Sequence, residues 1–109
     1  RPMLVEERIY TLQPATANAY LKAYEAEGMA IQKRILGRMV GYFQTEFGEL
    51  NQVVHMWAYE DLNERAQRRA ALFADPGWLA YLPKVRSFIL KQENRLLVPA
   101  PFMQVKWQD

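Results

Sequence analysis

The stretch that decides the fold runs from residue 51 to residue 81 and reads NQVVHMWAYEDLNERAQRRAALFADPGWLAY. It begins as a strand-like run rich in β-branched and aromatic residues. His55 is the only histidine of the chain, and Trp57 and Tyr59 follow it at two-residue steps, so the three side chains project from one face of the strand. A face that combines an imidazole, an indole and a phenol is unusual for plain core, and it makes this strand a candidate site.

Two helix starts follow this strand. Asp61 and Glu64 have the spacing of a capping box, and Asp75 with Pro76 has the pattern of an N-cap followed by proline at the first helical position. Pro83 is expected to kink or end the second helix within two turns. The three-and-four periodicity of the first helix predicts an inward face made of Leu62, Ala66, Ala70 and Phe73.

The chain before this stretch predicts a strand, a long helix and a second strand. Residues 3 to 12 alternate as a strand does, and apolar residues from 17 to 35 recur at helical spacing. Gly37 is placed to cap the end of that helix. Gly28 lies on its apolar face, which indicates a bend or a close approach to another element.

The remaining runs complete a split βαβ pattern. Residues 39–47 and 51–60 form two strands of an antiparallel hairpin, and residues 88–98 form a last strand. The order predicts an α+β, ferredoxin-like βαββαβ fold with a four-stranded antiparallel sheet. Both faces of the hairpin are apolar, whereas the helices of one chain can cover only one face. We therefore expect a homodimer in which two sheets meet.

Composition excludes several function classes. The 109 residues include no cysteine and have a formal net charge of +2, which favours one domain over residues 1–109, with a core at 3–102 and a tail at 103–109, in a cytoplasmic compartment. The small charge argues against nucleic acid as a partner. No segment reads as a signal peptide or a membrane span.

Several ordered motifs resemble the NIPSNAP family, a branch of the dimeric α/β-barrel superfamily. They are VEERIYTL, LGRMVGYFQTEFGELNQVVHMWAYEDLNERAQRRAALFADPGW and QENRLLVPAPF, within residues 4–102. The resemblance implies a dimeric α/β barrel, a stand-alone bacterial version of the domain and a molecular function that is uncharacterised. It also suggests an analogy with superfamily enzymes that oxygenate aromatic compounds without a cofactor or that work on haem.

The strand alternation predicts a pocket wall. Residues of the first strand and the third strand would point away from the helices into a dimer cavity, because the opposite orientation would bury Glu6 and Arg8 under helices. The second strand would extend the wall. The predicted ligand-binding residues are Glu6, Arg8, Tyr10, Phe43, Thr45, His55, Trp57 and Tyr59.

Each candidate side chain has a functional and a structural interpretation. His55 is either a general base or a hydrogen-bonded histidine inside the barrel. Arg8 either grips a carboxylate or phosphate or pairs internally with Glu6 or Glu46. Trp78 is expected in the core. The basic group on the first capped helix could form an anion-binding edge, but it is expected to form a solvated face; it consists of Arg65, Arg68 and Arg69.

Three functions stay open at this point. The first is a homodimer whose cavity binds a small aromatic or acidic molecule. The second is an enzyme in which His55 takes a proton from a phenol, Tyr10 or Tyr59 orients it and Arg8 stabilises the anion. The third is a partner-binding role for residues 103–109, which include Val105 and Trp107. The residue types predict neither a metal site nor a cofactor.

Overall fold

The structure is a computed structural model that describes residues 3–108; Arg1, Pro2 and Asp109, at the ends of the predicted domain, lie outside that range. All four strands belong to one antiparallel sheet in the order β2-β3-β1-β4, which confirms the ferredoxin-like prediction. The elements are β1 (Leu4–Leu12), α1 (Ala17–Ala23), α2 (Met29–Leu36), β2 (Arg38–Gln44), β3 (Gln52–Tyr59), α3 (Leu62–Leu72), α4 (Pro76–Arg86) and β4 (Ile89–Leu97).

A π-helical turn, Tyr24–Gly28, joins α1 to α2. The missing side chain of Gly28 makes room for α4, since a Cβ atom there would lie 2.8 Å from Cε2 of Tyr81. Gly28 therefore serves both roles that its position suggested, a local irregularity and a close approach, although the approach is to a helix. Gly37 ends α2 with φ +94°, the left-handed conformation expected of a glycine C-cap.

The N-caps of α3 and α4 are confirmed. The carboxylate of Asp61 accepts from the backbone N–H of Glu64 at 2.8 Å, and Asp75 accepts from the N–H of Trp78 at 2.9 Å. The Glu64 carboxylate accepts from the N–H of Glu60 at 2.7 Å, one residue before the position of a standard capping box.

The sequence predicts that Pro83 kinks or ends this helix, but the proline does not end it, because α4 continues to Arg86. Proline removes only one helical hydrogen-bond donor. Tyr81 and Val85 are buried on either side of it, so packing of the helix on the sheet holds its last turn in place.

The predicted orientation of the sheet is also wrong. In the register of β1 and β3, Arg8 lies opposite His55 and Glu6 lies opposite Trp57, and these side chains point towards the helices. Trp57 and Tyr59 belong to the core that the helices cover. The opposite orientation was expected because an unpaired charge is costly to bury under helices. That cost is removed by Arg65 of α3, which pairs with Glu6.

Helix α3 presents the opposite face from the predicted one. Its buried or half-buried side is formed by three basic residues and one leucine: Arg65, Arg68, Arg69 and Leu72. The stripe predicted to point inward is exposed: Leu62, Ala66, Ala70 and Phe73. Arg65 and Arg68 turn inward because they find acceptors there. For Arg68 the acceptor is the backbone carbonyl of Ile35, in the last turn of α2. Nη1 of Arg68 donates to it at 2.9 Å.

A β-bulge displaces the second strand. The register of β2 on β3 shifts between Met39 and Gly41, so the side chain facing His55 is that of Tyr42. Phe43 lies opposite Val54, on the face of the sheet that no helix covers, which we call the open face. Thr45 hydrogen-bonds the carbonyl of Gln52 just beyond β2.

The segment after β4 crosses to the far edge of the sheet. The backbone N–H of Gln108 donates to the carbonyl of Met39 at 2.9 Å, and the guanidinium of Arg38 lies over the ring of Trp107 at 5.6 Å. Trp107 and Gln108 are therefore docked on β2. No helix within residues 3–108 has the length and apolar character needed to cross a membrane.

Candidate functional site

A buried carboxylate organises the polar side of the site. Glu6 is fully buried, and its Oε2 accepts from Arg65 at 2.8 Å, from Asn94 at 2.8 Å and from Arg8 at 3.1 Å. Burial alone would raise the pKa of this carboxyl, but the hydrogen bonds from Arg65 and Asn94 and the charge of Arg8 outweigh it and lower the pKa to about 2. The internal pair of Arg8 with Glu6 is thus present.

An open cleft of about 460 Å³ lies between α3, α4 and the β4 side of the sheet, within the size range of small-molecule sites. Its lining includes no carboxylate, whereas it includes three cationic side chains: Arg8, Arg69 and Arg86. Lys91 also borders the cleft, but its ammonium group pairs with Glu93 on the other face of the sheet at 3.3 Å. Phe73, Leu82 and Leu90 add apolar surface. The cleft therefore combines an apolar body with positive charge.

Arg69 is the least compensated of these cations. It lies over the ring of Phe73 at 5.5 Å, but among residues 3–108 its guanidinium has no carboxylate within salt-bridge distance. Burial and then the positive charge of Arg8 lower the pKa of Arg69. Since Glu6 already serves Arg8 and Arg65, the polar end of the cleft has a surplus of positive charge.

A smaller cavity of about 40 Å³ continues inward from the cleft. Tyr10, Gln32 and Trp78 line both spaces. Around His55, the ring of Tyr42 is stacked at 4.7 Å and the ring of Tyr10 is edge-on at 4.9 Å between centroids. We call this space the inner chamber.

The neighbours of His55 fix which of its nitrogens carries the proton. The indole N–H of Trp57 donates to Nδ1 at 2.8 Å, and an indole nitrogen can only donate. Nδ1 is therefore the acceptor, and the proton of the neutral ring is on Nε2. Burial and then the charge of Arg8 lower the pKa of His55 to about 3. The ring is neutral at physiological pH, and towards the chamber it is a hydrogen-bond donor.

Four tyrosines at the site have raised pKa values. Burial, and then the neighbouring Glu6, raises the pKa of Tyr59 to about 12, and burial is also the leading cause of the raised pKa values of Tyr20, Tyr24 and Tyr42. These four side chains therefore remain phenols and do not act as bases. The hydroxyl of Tyr10 accepts from Nε of Arg8 at 3.0 Å.

The structure brings only part of the predicted site together. Arg8 and Tyr10 line the cleft and His55 lines the inner chamber, whereas Glu6, Trp57 and Tyr59 support these residues from behind. The bulge in β2 places Phe43 and Thr45 elsewhere. Sequence reasoning missed the residues that helices contribute or that the bulge redirects: Gln32, Tyr42, Arg69 and Trp78.

Metal and haem do not fit this site. Residues 3–108 contain no group of three or more histidine or acidic side chains positioned to hold a metal ion. The inner chamber at His55 is about 40 Å³, which is far too small for a porphyrin. The residues present therefore suit hydrogen bonding and ion pairing with an organic ligand.

Comparison with known proteins identifies the family of the chain. The family model described as NIPSNAP matches residues 5–104. A NIPSNAP family protein of unknown function from Agrobacterium tumefaciens is 48% identical with a TM-score of 0.92, over 94% of this chain and 93% of that one. A NIPSNAP-like domain protein from Burkholderia xenovorans is 47% identical with a TM-score of 0.91, over 97% and 95%.

Two further similarities carry less information about this chain, the first because of partial coverage and the second because of low identity. Human NipSnap homolog 3B is 31% identical over 93% of this chain, but the match spans only 41% of the human protein. A proposed antibiotic biosynthesis monooxygenase from Nitrosomonas europaea covers 94% of this chain and 93% of its own, with a TM-score of 0.64 and 13% identity. The second similarity shows a shared fold alone.

Proposed function

The chain belongs to the NIPSNAP family, and we propose that this domain binds a small organic anion with an aromatic body in the cleft between its sheet and helices. The observation that carries the proposal is the excess of positive charge at Arg8 and Arg69 in a cleft without a carboxylate. A carboxylate or phosphate would restore the balance that Glu6 alone does not provide. This location replaces the dimer cavity expected from the strand pattern.

Binding is favoured over proton transfer as the role of the site. A general base needs a free lone pair towards the substrate, whereas the contact with Trp57 leaves Nε2 of His55 as a donor. Burial raises the pKa of Tyr59 to about 12, and the Glu6 carboxylate, whose Oε2 accepts from three donors, has a pKa lowered to about 2. These groups can position and neutralise a bound molecule without accepting its proton.

Isothermal titration with 1-naphthoate and 1-naphthalenemethanol tests this proposal. The two probes share an aromatic body, so we expect the acid to bind at least about tenfold more tightly, a difference of about 1.4 kcal/mol. Arg69→Gln should weaken the acid and leave the alcohol unchanged. Lys22→Gln removes the same charge from an exposed position on α1 and should change neither. Equal affinity for the two probes would refute the proposal.

We also propose that two copies associate through the open faces of their sheets. Ile9, Val54 and Met56 occupy this face, and Phe43 beside them is 57% exposed. Apolar side chains on an uncovered sheet are typical of an interface, and a two-fold pair would cover both copies.

Multi-angle light scattering tests this association. We expect twice the 12.8 kDa mass of one chain, and the single-chain mass for Met56→Glu, because a buried unpaired charge opposes association. Ala66→Glu places the same charge on the exposed stripe of α3 and should leave the mass doubled. If only Ala66→Glu gives the single-chain mass, the interface is on α3 and the open-face proposal fails.

A further inference from the structure

The inner chamber contains three polar atoms that have no partner. They are Nε2 of His55, Nε1 of Trp78 and the hydroxyl oxygen of Tyr81, on side chains that are 1%, 6% and 3% exposed. Leaving such a group buried without a hydrogen bond is unfavourable, because the water that it loses is not replaced by another partner. Three of them around one small cavity indicate an arrangement completed by a further molecule.

These atoms share a demand for an acceptor. The indole nitrogen of Trp78 can only donate, and Nε2 of His55 carries the proton because Nδ1 accepts from Trp57. Other polar groups of the chamber pair with one another, as in the bond from the Tyr24 hydroxyl to Oε1 of Gln32 at 2.6 Å. What is missing is an oxygen or nitrogen lone pair supplied from outside.

The chamber also selects the charge of that acceptor. Its lining has no charged side chain, whereas Arg8 and Arg69 line the cleft outside it. A neutral acceptor matches the chamber, and an anionic group matches the cleft. Because Tyr10 and Trp78 line both spaces, one molecule can extend from one to the other.

We propose that the ligand is a keto acid with an aromatic body, whose carbonyl oxygen enters the inner chamber and accepts from His55 and Trp78 while its anionic group stays at Arg8 and Arg69. This inference rests on the proposed function, which places the anion. It adds the carbonyl oxygen as a second recognised group. It also gives the direction in which the molecule lies, from the cleft into the inner chamber. A site built to hydrogen-bond one oxygen discriminates strongly against analogues that lack it.

Matched pairs of probes test the inference by isothermal titration. The pairs are 4-acetylbenzoate with 4-isopropylbenzoate and 6-acetyl-2-naphthoate with 6-isopropyl-2-naphthoate, so that two lengths are covered. We expect the ketone to bind at least about tenfold more tightly than its alkyl partner in one pair or both. Trp78→Phe should reduce that preference to about threefold or less while leaving the alkyl acid unchanged.

The control variant is Trp107→Phe, which removes an indole nitrogen far from the chamber and should leave the preference intact. If Trp78→Phe lacks the wild-type circular dichroism spectrum, His55→Phe, which removes the other donor to the carbonyl oxygen, takes its place with the same expectation. Equal affinities for ketone and alkyl acids at both lengths would overturn the inference and leave the proposed function standing. If no acid binds, the proposed function fails and the inference fails with it.

Discussion

The two faces of the sheet differ in the opposite sense from a sheet that stands alone. At the contact of β1 with β3, the face under the helices carries Glu6, Arg8 and His55, whereas the open face carries Ile9 and Val54. The open face also has charged side chains on its β4 side, but they form exposed ion pairs, Glu7 with Arg95 and Lys91 with Glu93. An antiparallel sheet with one solvated face has its polar side chains in water. This contrast supports the two proposals, a site on the covered face and an interface on the open face.

Helix α3 makes this contrast possible. Two of its inward arginines, Arg65 and Arg68, meet the carboxylate of Glu6 and the carbonyl of Ile35, so the buried carboxylate is paired. A buried ion pair is tolerated when its members satisfy one another, and removal of one member is strongly destabilising. The contrast between the faces can therefore be tested through single side chains.

Loss of the buried carboxylate should have the largest effect on the comparison. Glu6→Gln leaves Arg8 and Arg65 without their counter-charge and should lower the free energy of unfolding by about 3 to 5 kcal/mol. Glu93→Gln removes a carboxylate from the open face, where it pairs with Lys91 at 3.3 Å, and should cost about 1 kcal/mol or less. Urea unfolding at one protein concentration measures both. Similar losses would show that the two faces do not differ.

The two sides of α3 should differ by a smaller amount. Leu72 is 1% exposed and Leu62 is 55% exposed, so Leu72→Ala should cost about 2 to 5 kcal/mol and Leu62→Ala under about 1 kcal/mol. The same substitution on one helix separates burial from helix propensity. Thermal or urea unfolding of both variants measures the two losses of stability. A larger loss of stability for Leu62→Ala would show that α3 faces the sheet with the side that the sequence pattern predicted.

Acid should weaken the covered face through His55. The folded-state pKa is about 3, below the ordinary value of about 6.5, so the unfolded chain binds a proton that the folded chain does not. Stability is therefore lost as the pH falls, by about 2 kcal/mol between pH 8 and pH 5. No other histidine is present, so His55→Gln should remove this loss. A wild-type stability that stays constant over this range would contradict a neutral buried imidazole.

The sequence was sufficient for the elements and their order. The alternation in β1 and β3, the N-caps at Asp61 and Asp75 and the glycine at position 37 are local signals, and each is found in the structure. Such signals depend on backbone chemistry within a few residues. They therefore predict where strands and helices begin, end and follow one another.

The orientation of the faces could not be obtained in this way. Alternation shows which residues share a face, but both faces of β3 are apolar enough for either assignment, and only the partner of Glu6 decides between them. Asking which residue neutralises Glu6 would have suggested the inward stripe of α3, since Arg65, Arg69 and Leu72 recur at steps of three and four. The bulge before Gly41, which exchanges Phe43 for Tyr42, has no signal of its own.

The two edges of the sheet, unlike its faces, have features that oppose contact with a further strand. On one edge, β2 is distorted by the bulge before Gly41 and occupied at Met39 by Gln108. On the other, β4 alternates exposed charges through Lys91, Glu93 and Arg95. Bulges and edge charges are the means by which sheets resist pairing with further strands. Association through the open face can then close as a pair, whereas growth from strand to strand into filaments is opposed at both ends of the sheet.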